Sequence, residues 1–230
     1  MTTPAASSPP DDLAAREALL RAMRQLDDAG LNRGSAGNGS VRASAGGFWV
    51  TATGMTAAEL SLDTLVWVDD AGQAHGPWKP SSEWHFHRAI YRQRPDLCAV
   101  LHSHSVHATA LATLRRRLPP FHYMVAVAGG DDVPCTRYHL FGTEALSDAV
   151  AQAFVQRKAC LMANHGLVAG GAHMAEALKV LREIEALCEI YLKALAVAEP
   201  VCLSQEEMAA VIARFRHYGQ PAAQAQPPRP

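Results

Sequence analysis

A chain of 230 residues with 49% hydrophobic content and a mean hydropathy of −0.05 is long enough for one well-cored globular domain. Lys+Arg 21 against Asp+Glu 22 leaves a net charge of −1 with no basic stripe, which argues against nucleic acid as a partner, and no run of about 18 apolar residues is present to span a membrane. Five scattered cysteines without a CxxC pair, and a start (MTTPAASSPP) lacking a basic n-region and an apolar h-region, lead us to expect a cytoplasmic protein with reduced thiols rather than a secreted disulfide framework or a cysteine zinc knuckle.

Residues 1–10 are rich in Pro, Ser and Ala and are expected to be disordered. Asp11 and Asp12 are placed to cap a helix that carries Leu13, Leu19, Leu20, Met23 and Leu26 at roughly helical spacing and stops at Gly30. The stretch RGSAGNGSVR reads as a loop with backbone amides free for an anion. A strand pair follows, around Val41 and from Phe48 to Thr53, then a strand over 65–69 with its turn at Asp70-Ala71-Gly72. Ser81 or Ser82 caps a helix over about 83–93, stopped before Pro95.

Next comes CAVLHSHSVH (98–107), where an apolar strand, Ala99 to Leu101, runs into His102, Ser103 and His104. Side chains at i and i+2 of a strand point to one side, so His102 and His104 leave it as a two-imidazole claw. A short helix spans Val106 to about Leu114, Pro119-Pro120 breaks the chain, and YMVAVA (123–128) reads as a strand entering Gly129-Gly130. A helix over Thr143 to Lys158, a strand over Ala159 to Ala163, the turn Asn164-His165-Gly166, and a strand over Leu167 to Ala169 follow. A long amphipathic helix covers about 173–197. Ser204 and Glu207 form a capping box for a last helix reaching Tyr218 and Gly219, and residues 220–230 form a disordered tail. Because several strands succeed one another as hairpins, we expect one α/β domain over 11–219, a mostly antiparallel sheet flanked by helices on both faces. A dinucleotide fold is disfavoured, since GSAGNG follows a helix rather than a strand.

A lone HxH is more often two polar loop residues than a metal site. Neutral imidazole is nonetheless the commonest side-chain metal ligand, and three histidines with an open fourth position describe catalytic zinc. His165 ends an apolar strand beside Gly166, which permits close approach. Glu83 and His87 stand i, i+4 on a predicted helix and can also hold zinc. Spacing alone does not choose the third ligand among His87, His107 and His165. Gly37-Asn38-Gly39-Ser40, Thr53-Gly54 and Ser81-Ser82 are three small polar loops, each ordinary turn chemistry by itself and each a possible anion site.

In order and spacing, GNGSVR (37–42), TATGM (51–55), KPSSEWHFH (79–87), VLHSHSVHAT (100–109), FHYMVAVAGGDDVPC (121–135), FGTEAL (141–146) and ANHGL (163–167) resemble the class II aldolase/adducin family over about residues 13–219. The resemblance implies Zn2+, or another divalent metal, held by His102, His104 and His165 with Glu83 as fourth ligand, and Glu83 leaving the metal to act as acid/base. It implies a phosphate held at Gly37, Asn38, Thr53, Gly54, Ser81 and Ser82. Tyr123 would reach a neighbouring subunit's site and assist proton transfer at the aldehyde end, and Phe215 and Tyr218 would close over the substrate. A homotetramer with sites between subunits follows from the same likeness. The implied reaction is retro-aldol cleavage of a deoxyketose 1-phosphate, such as L-fuculose 1-phosphate, to dihydroxyacetone phosphate and an aldehyde. Aldolases for 5-deoxyribulose or methylthioribulose 1-phosphate, and phosphosugar epimerases, decarboxylases or dehydratases, are the alternatives. A non-enzymatic adducin-like module fits less well, because it lacks the metal histidines. Gly39, Ala52 and Asn164 depart from the family's usual residues and leave the sugar open.

Overall fold

A computed structural model of the chain describes residues 9–215. The expectations for residues 1–8, for Tyr218 and for the tail lie outside the described residues. In chain order the elements are α1 (Leu13–Asp28), β1 (Asn38–Arg42), β2 (Phe48–Val50), β3 (Val66–Val68), β4 (Ala74–His75), α2 (Trp84–Gln93), β5 (Ala99–Ser103), α3 (Val106–Thr113), α4 (Glu144–Ala153), β6 (Ala159–Met162), β7 (Gly166–Gly171), α5 (Met174–Leu195) and α6 (Gln205–Phe215). The strands form one sheet in the order β4-β3-β2-β1-β5-β7-β6, every ladder antiparallel.

Helices cover both faces of the sheet, as expected, and the reason is visible in the alternation of strand residues. Val41, Trp49, Trp67, Leu101, Leu161 and Leu167 point to one side and pack with α1, α3 and α5. Val50, Val66, Val68, Val100, Met162 and Val168 point to the other and pack with Phe86 and Ile90 of α2 and with Leu146, Val150 and Phe154 of α4. Such strands are buried on both faces, so they read as continuous apolar runs.

Several local expectations are corrected. Asp12 sits before α1 in a left-handed conformation (φ 39°) and makes no side-chain cap; its Oδ2 instead accepts from the backbone N–H of Ser44 (3.0 Å) and from Trp49 Nε1 (3.1 Å). Tertiary donors outcompete the helix end for that carboxylate. YMVAVA is not a strand but a 3-10 helix, Tyr123–Ala128, capped by His122, whose Nδ1 accepts from Met124 N, and closed by Gly129 at φ 85°. A short apolar run cannot distinguish a buried strand from a buried helical turn. Asn38 to Ser40, read as loop, already belong to β1. Helix α4 ends at Ala153, before Lys158, where the chain turns and Lys158 N donates to Ala128 O. Neither Ser81 nor Ser82 caps α2. Glu83 occupies the cap position, and Ser81 Oγ accepts from the Glu83 N–H (3.3 Å). The Ser204/Glu207 capping box is present in both directions.

The helix that follows the histidine claw is held from a distance. Ser105, at the cap position of α3, makes no side-chain cap bond. The buried carboxylate of Glu185 on α5 takes that role, accepting from His107 N (2.9 Å), Ala108 N (2.8 Å) and His107 Nδ1 (2.9 Å). It satisfies orphan amides and opposes the positive end of the helix. Glu185→Ala is expected to lower stability by about 2–3 kcal/mol, the scale of buried hydrogen bonds to a charged group. Glu185→Gln should lose less, as read by denaturant unfolding.

Candidate active site

β5 pairs with β1 so that Asn38 lies opposite His102, and with β7 so that His102 lies opposite Val168. Opposed residues of an antiparallel pair share a face, so His102 and Asn38 both point toward α2. His102 is fully buried, and its Nδ1 is 3.0 Å from the carbonyl oxygen of Leu167. A carbonyl only accepts, so Nδ1 carries the proton and the lone pair of the neutral ring is on Nε2. That Nε2 lies 3.0 Å from His104 Nε2 and 3.3 Å from Glu83 Oε2. His104 is held at its backbone, its N–H donating to Asn32 Oδ1 (3.2 Å) in the loop after α1.

His165 enters from the β6–β7 hairpin, where Asn164 turns the chain at φ 55°. Its Nε2 is 3.3 Å from Glu83 Oε1. Gly166 makes this approach possible: a Cβ there would stand 2.5 Å from Ser103 O and 3.2 Å from carbon atoms of both His102 and His104. The expected need for glycine at this position is met.

Among the described residues, His102, His104 and His165 bring their ligand atoms within 4.8 Å of one another. Glu83 contacts two of the three rings, and its Oε1, though buried, has no hydrogen-bond partner among the described residues. Three imidazoles and a carboxylate oxygen left without a donor are what a divalent cation would satisfy, so the residues fit a metal. The two other candidates for third ligand are engaged elsewhere. His107 is bound to Glu185, and His87 lies between Ser40 and Asn38.

Gly37, Asn38, Thr53, Gly54, Ser81 and Ser82 line one cavity of about 330 Å³ together with Glu83, His104 and His165. The three small polar loops thus converge, although they lie far apart in sequence. Gly37 (φ 77°) and Gly54 (φ 74°) are left-handed, and a Cβ on Gly37 would strike the Asn32 amide at 2.4 Å. Of the unusual residues, Ala52 and Asn164 line the cavity. Gly39 points to the opposite face, against Leu19, Leu101 and Met23, and is a packing position.

Tyr123 is half exposed and does not line this cavity. Phe215 lines a separate hollow beside Ala126 and Lys179. Tyr138, His139 and Phe141 complete the cavity wall, although the sequence by itself assigns them no role in a site. The only available signal was a run of aromatic side chains, YHLF, in a stretch with no strand or helix periodicity.

Burial keeps the histidines neutral. It pushes His102, beside His104, down to about 3, and His165, beside His102, down to about 4; His104 is lowered by the same burial. His87 is likewise pushed down to about 3 by burial, with His102 adding to it. Neutral imidazole is the form that binds metal. The same depression makes stability depend on pH. In the unfolded chain the rings of His87, His102 and His165 take up protons near pH 6.5, whereas in the folded protein they do so only near 3–4. Between those limits the unfolded state binds more protons, so stability falls as pH falls. The Tm of metal-free protein is therefore expected to drop steadily from pH 6.5 to pH 4, and a flat profile across that window would contradict neutral buried rings.

The model for the Class II Aldolase and Adducin N-terminal domain matches residues 17–192. The chain is 45% identical over 220 residues to the 5-methylthioribulose-1-phosphate/5-deoxyribulose-1-phosphate aldolase of Rhodospirillum rubrum, covering 96% of this chain and 99% of that one. It is 46% identical over 196 residues to the L-fuculose phosphate aldolase of Escherichia coli K12, covering 85% and 91%. A solved L-fuculose 1-phosphate aldolase superposes with a TM-score of 0.85 at 36% identity, over 88% of this chain and 96% of that one. None of the described helices is long and apolar enough to cross a membrane. With the family model spanning most of the chain, and aldolases matching it nearly end to end, the chain belongs to the class II aldolase and adducin family and is one of its metal-dependent aldolases, a lyase.

Proposed function

We propose that this aldolase cleaves a deoxyketose 1-phosphate to dihydroxyacetone phosphate and an aldehyde, with Zn2+ held by His102, His104, His165 and Glu83. The observation that carries the reading is the buried Glu83 carboxylate, one oxygen lacking a donor, set against neutral imidazoles at a cavity whose wall also brings together Gly37, Asn38, Thr53, Gly54, Ser81 and Ser82. The bound cation supplies Lewis-acid stabilisation of the oxygen charge that develops as the carbon–carbon bond breaks. Gly37, Asn38, Thr53, Gly54, Ser81 and Ser82 hold the phosphate and so keep the carbonyl in register. As the bond breaks, the hydroxyl at the aldehyde end gives up one proton and the electron pair stays with the phosphate-bearing half; Glu83, off the metal and protonated, delivers one proton to that carbon, so the net proton count is unchanged. Tyr123 assists the hydroxyl proton at the aldehyde end of a neighbouring subunit's site, and Phe215 and Tyr218 close over substrate, in a homotetramer. Among the described residues no lysine lines the cavity, which speaks against a Schiff-base route.

Tyr138 and Phe141 offer apolar surface for the end of the sugar that lacks a hydroxyl. That suits L-fuculose 1-phosphate, and equally the 5-deoxyribulose and 5-methylthioribulose 1-phosphates named for the Rhodospirillum relative. The five cysteines are free, in keeping with a cytoplasmic setting.

Assaying these three phosphates for dihydroxyacetone phosphate is expected to show release that chelator abolishes and Zn2+ restores; product without that triose phosphate would point to an epimerase, decarboxylase or dehydratase. Glu83→Gln should keep substantial metal and lose about 10²–10⁴-fold in turnover. Near-normal turnover would remove Glu83 as the base.

A further inference from the structure

Behind Glu83 runs a chain of buried polar side chains that passes through Asn38 to His87, Ser40 and Tyr91, three residues to which neither the metal group nor the phosphate loops give a role. Tyr91 Oη lies 2.8 Å from Ser40 Oγ, Ser40 Oγ 2.7 Å from His87 Nδ1, His87 Nε2 2.6 Å from Asn38 Oδ1, and Asn38 Nδ2 2.9 Å from Glu83 Oε2. Ser40 and His87 are fully buried, and Tyr91, Asn38 and Glu83 nearly so. The chain joins two strand residues of one face, Asn38 and Ser40 at i and i+2, to helix residues Glu83, His87 and Tyr91, spaced four apart from the start of α2.

With Glu83 ionised, the direction of every bond follows. A carboxylate only accepts, so Asn38 turns its NH2 toward Glu83 and its Oδ1 toward His87. That oxygen needs a donor, which puts the imidazole proton on Nε2 and the lone pair on Nδ1. Ser40 then donates to Nδ1 and accepts from the Tyr91 hydroxyl. Reversing the imidazole would flip the Asn38 amide and set its oxygen against the carboxylate.

We propose that His87, with Ser40 and Tyr91 behind it, is a positioning residue that locks the Asn38 amide and so aims the Glu83 carboxylate into the three-histidine group. This rests on Glu83 as ligand and base, and it deepens that reading: α2 sets the carboxylate's height, and the chain from β1 sets its rotation. Partners one shell out from a metal ligand carry about 10–100-fold of metal affinity or activity.

Three variants and one spectrum test it. His87→Leu fills the space with an apolar side chain and removes the donor to Asn38. It is expected to lower kcat on the order of 10–100-fold with a smaller change in KM, and to release Zn2+ faster to a competing chelator. His87→Gln, which can place an N–H near the same oxygen, should recover most of both. Ser40→Ala, removing only the hydroxyl, should move both in the same direction by less, and serves if His87→Leu does not fold. In 15N-imidazole NMR of the wild-type zinc enzyme, His87 should be the Nε2–H tautomer. An Nδ1–H tautomer overturns the proposal, as does folded His87→Leu or Ser40→Ala with wild-type kcat and zinc release. Glu83→Gln run alongside separates the two readings. If it is inactive while the His87 and Ser40 variants behave as wild type, only the positioning role fails. If it is active, the base assignment fails, and zinc release and the tautomer still decide whether His87 positions the carboxylate.

Discussion

The antiparallel pairing of β1 with β5 is the constraint on which the site depends. It sets Asn38 opposite His102 on the face toward α2, where Asn38 can reach Glu83 and His102 can meet the other imidazoles. A slip of one residue would turn every side chain of β1 to the other face. Asn38 would then enter the apolar layer under α1, and Gly39 would replace it beside Glu83 and the three histidines. Burial on both sides forbids this. Gly39 lies where any Cβ would press on Leu19, Leu101 and Met23, at 2.8–3.0 Å, while Val41 belongs with the same layer.

The core surrounding the histidines does electrostatic as well as mechanical work. Phe86 meets the edge of His102 at 5.8 Å between ring centroids, and fully buried Val100 and Val168 flank it along the sheet. In that low-dielectric setting a protonated imidazole is costly, so the rings stay neutral, and their hydrogen bonds fix which nitrogen is free. The Leu167 carbonyl does this for His102. Gly166 contributes by what it lacks, since a side chain there would push on the Ser103 carbonyl and on the rings of His102 and His104.

Most of the fold was legible because apolar residues recur with the period of the element that buries them. The misreadings occur where a tertiary partner overrides a local rule. Asp12 has the composition of a helix cap, but Ser44 and Trp49 take its carboxylate. Ser81 has the composition of a cap too, yet Glu83 holds the cap position. YMVAVA has the composition of a strand, but no sheet edge receives it, and it coils between His122 and Gly129. The α3 cap could not be read at all, because Glu185 lies 78 residues from His107.

For the site, the sequence by itself determined the residue types and the family: a two-histidine claw at the end of a strand, a third histidine beside a glycine, and small polar loops in the family's order. These are local patterns, legible because strand geometry and glycine's conformational freedom act over a few residues. Spacing alone leaves the third histidine open and the family likeness points to His165; that His165 lies with the claw in space, and what His87 and His107 do instead, only the tertiary structure shows. His87, His107 and His165 look alike in spacing, and their roles depend on partners brought in by β1, α5 and the β6–β7 hairpin. Convergence of imidazoles around a carboxylate is a long-range property, and burial, which sets their charge, exists only once the layers close.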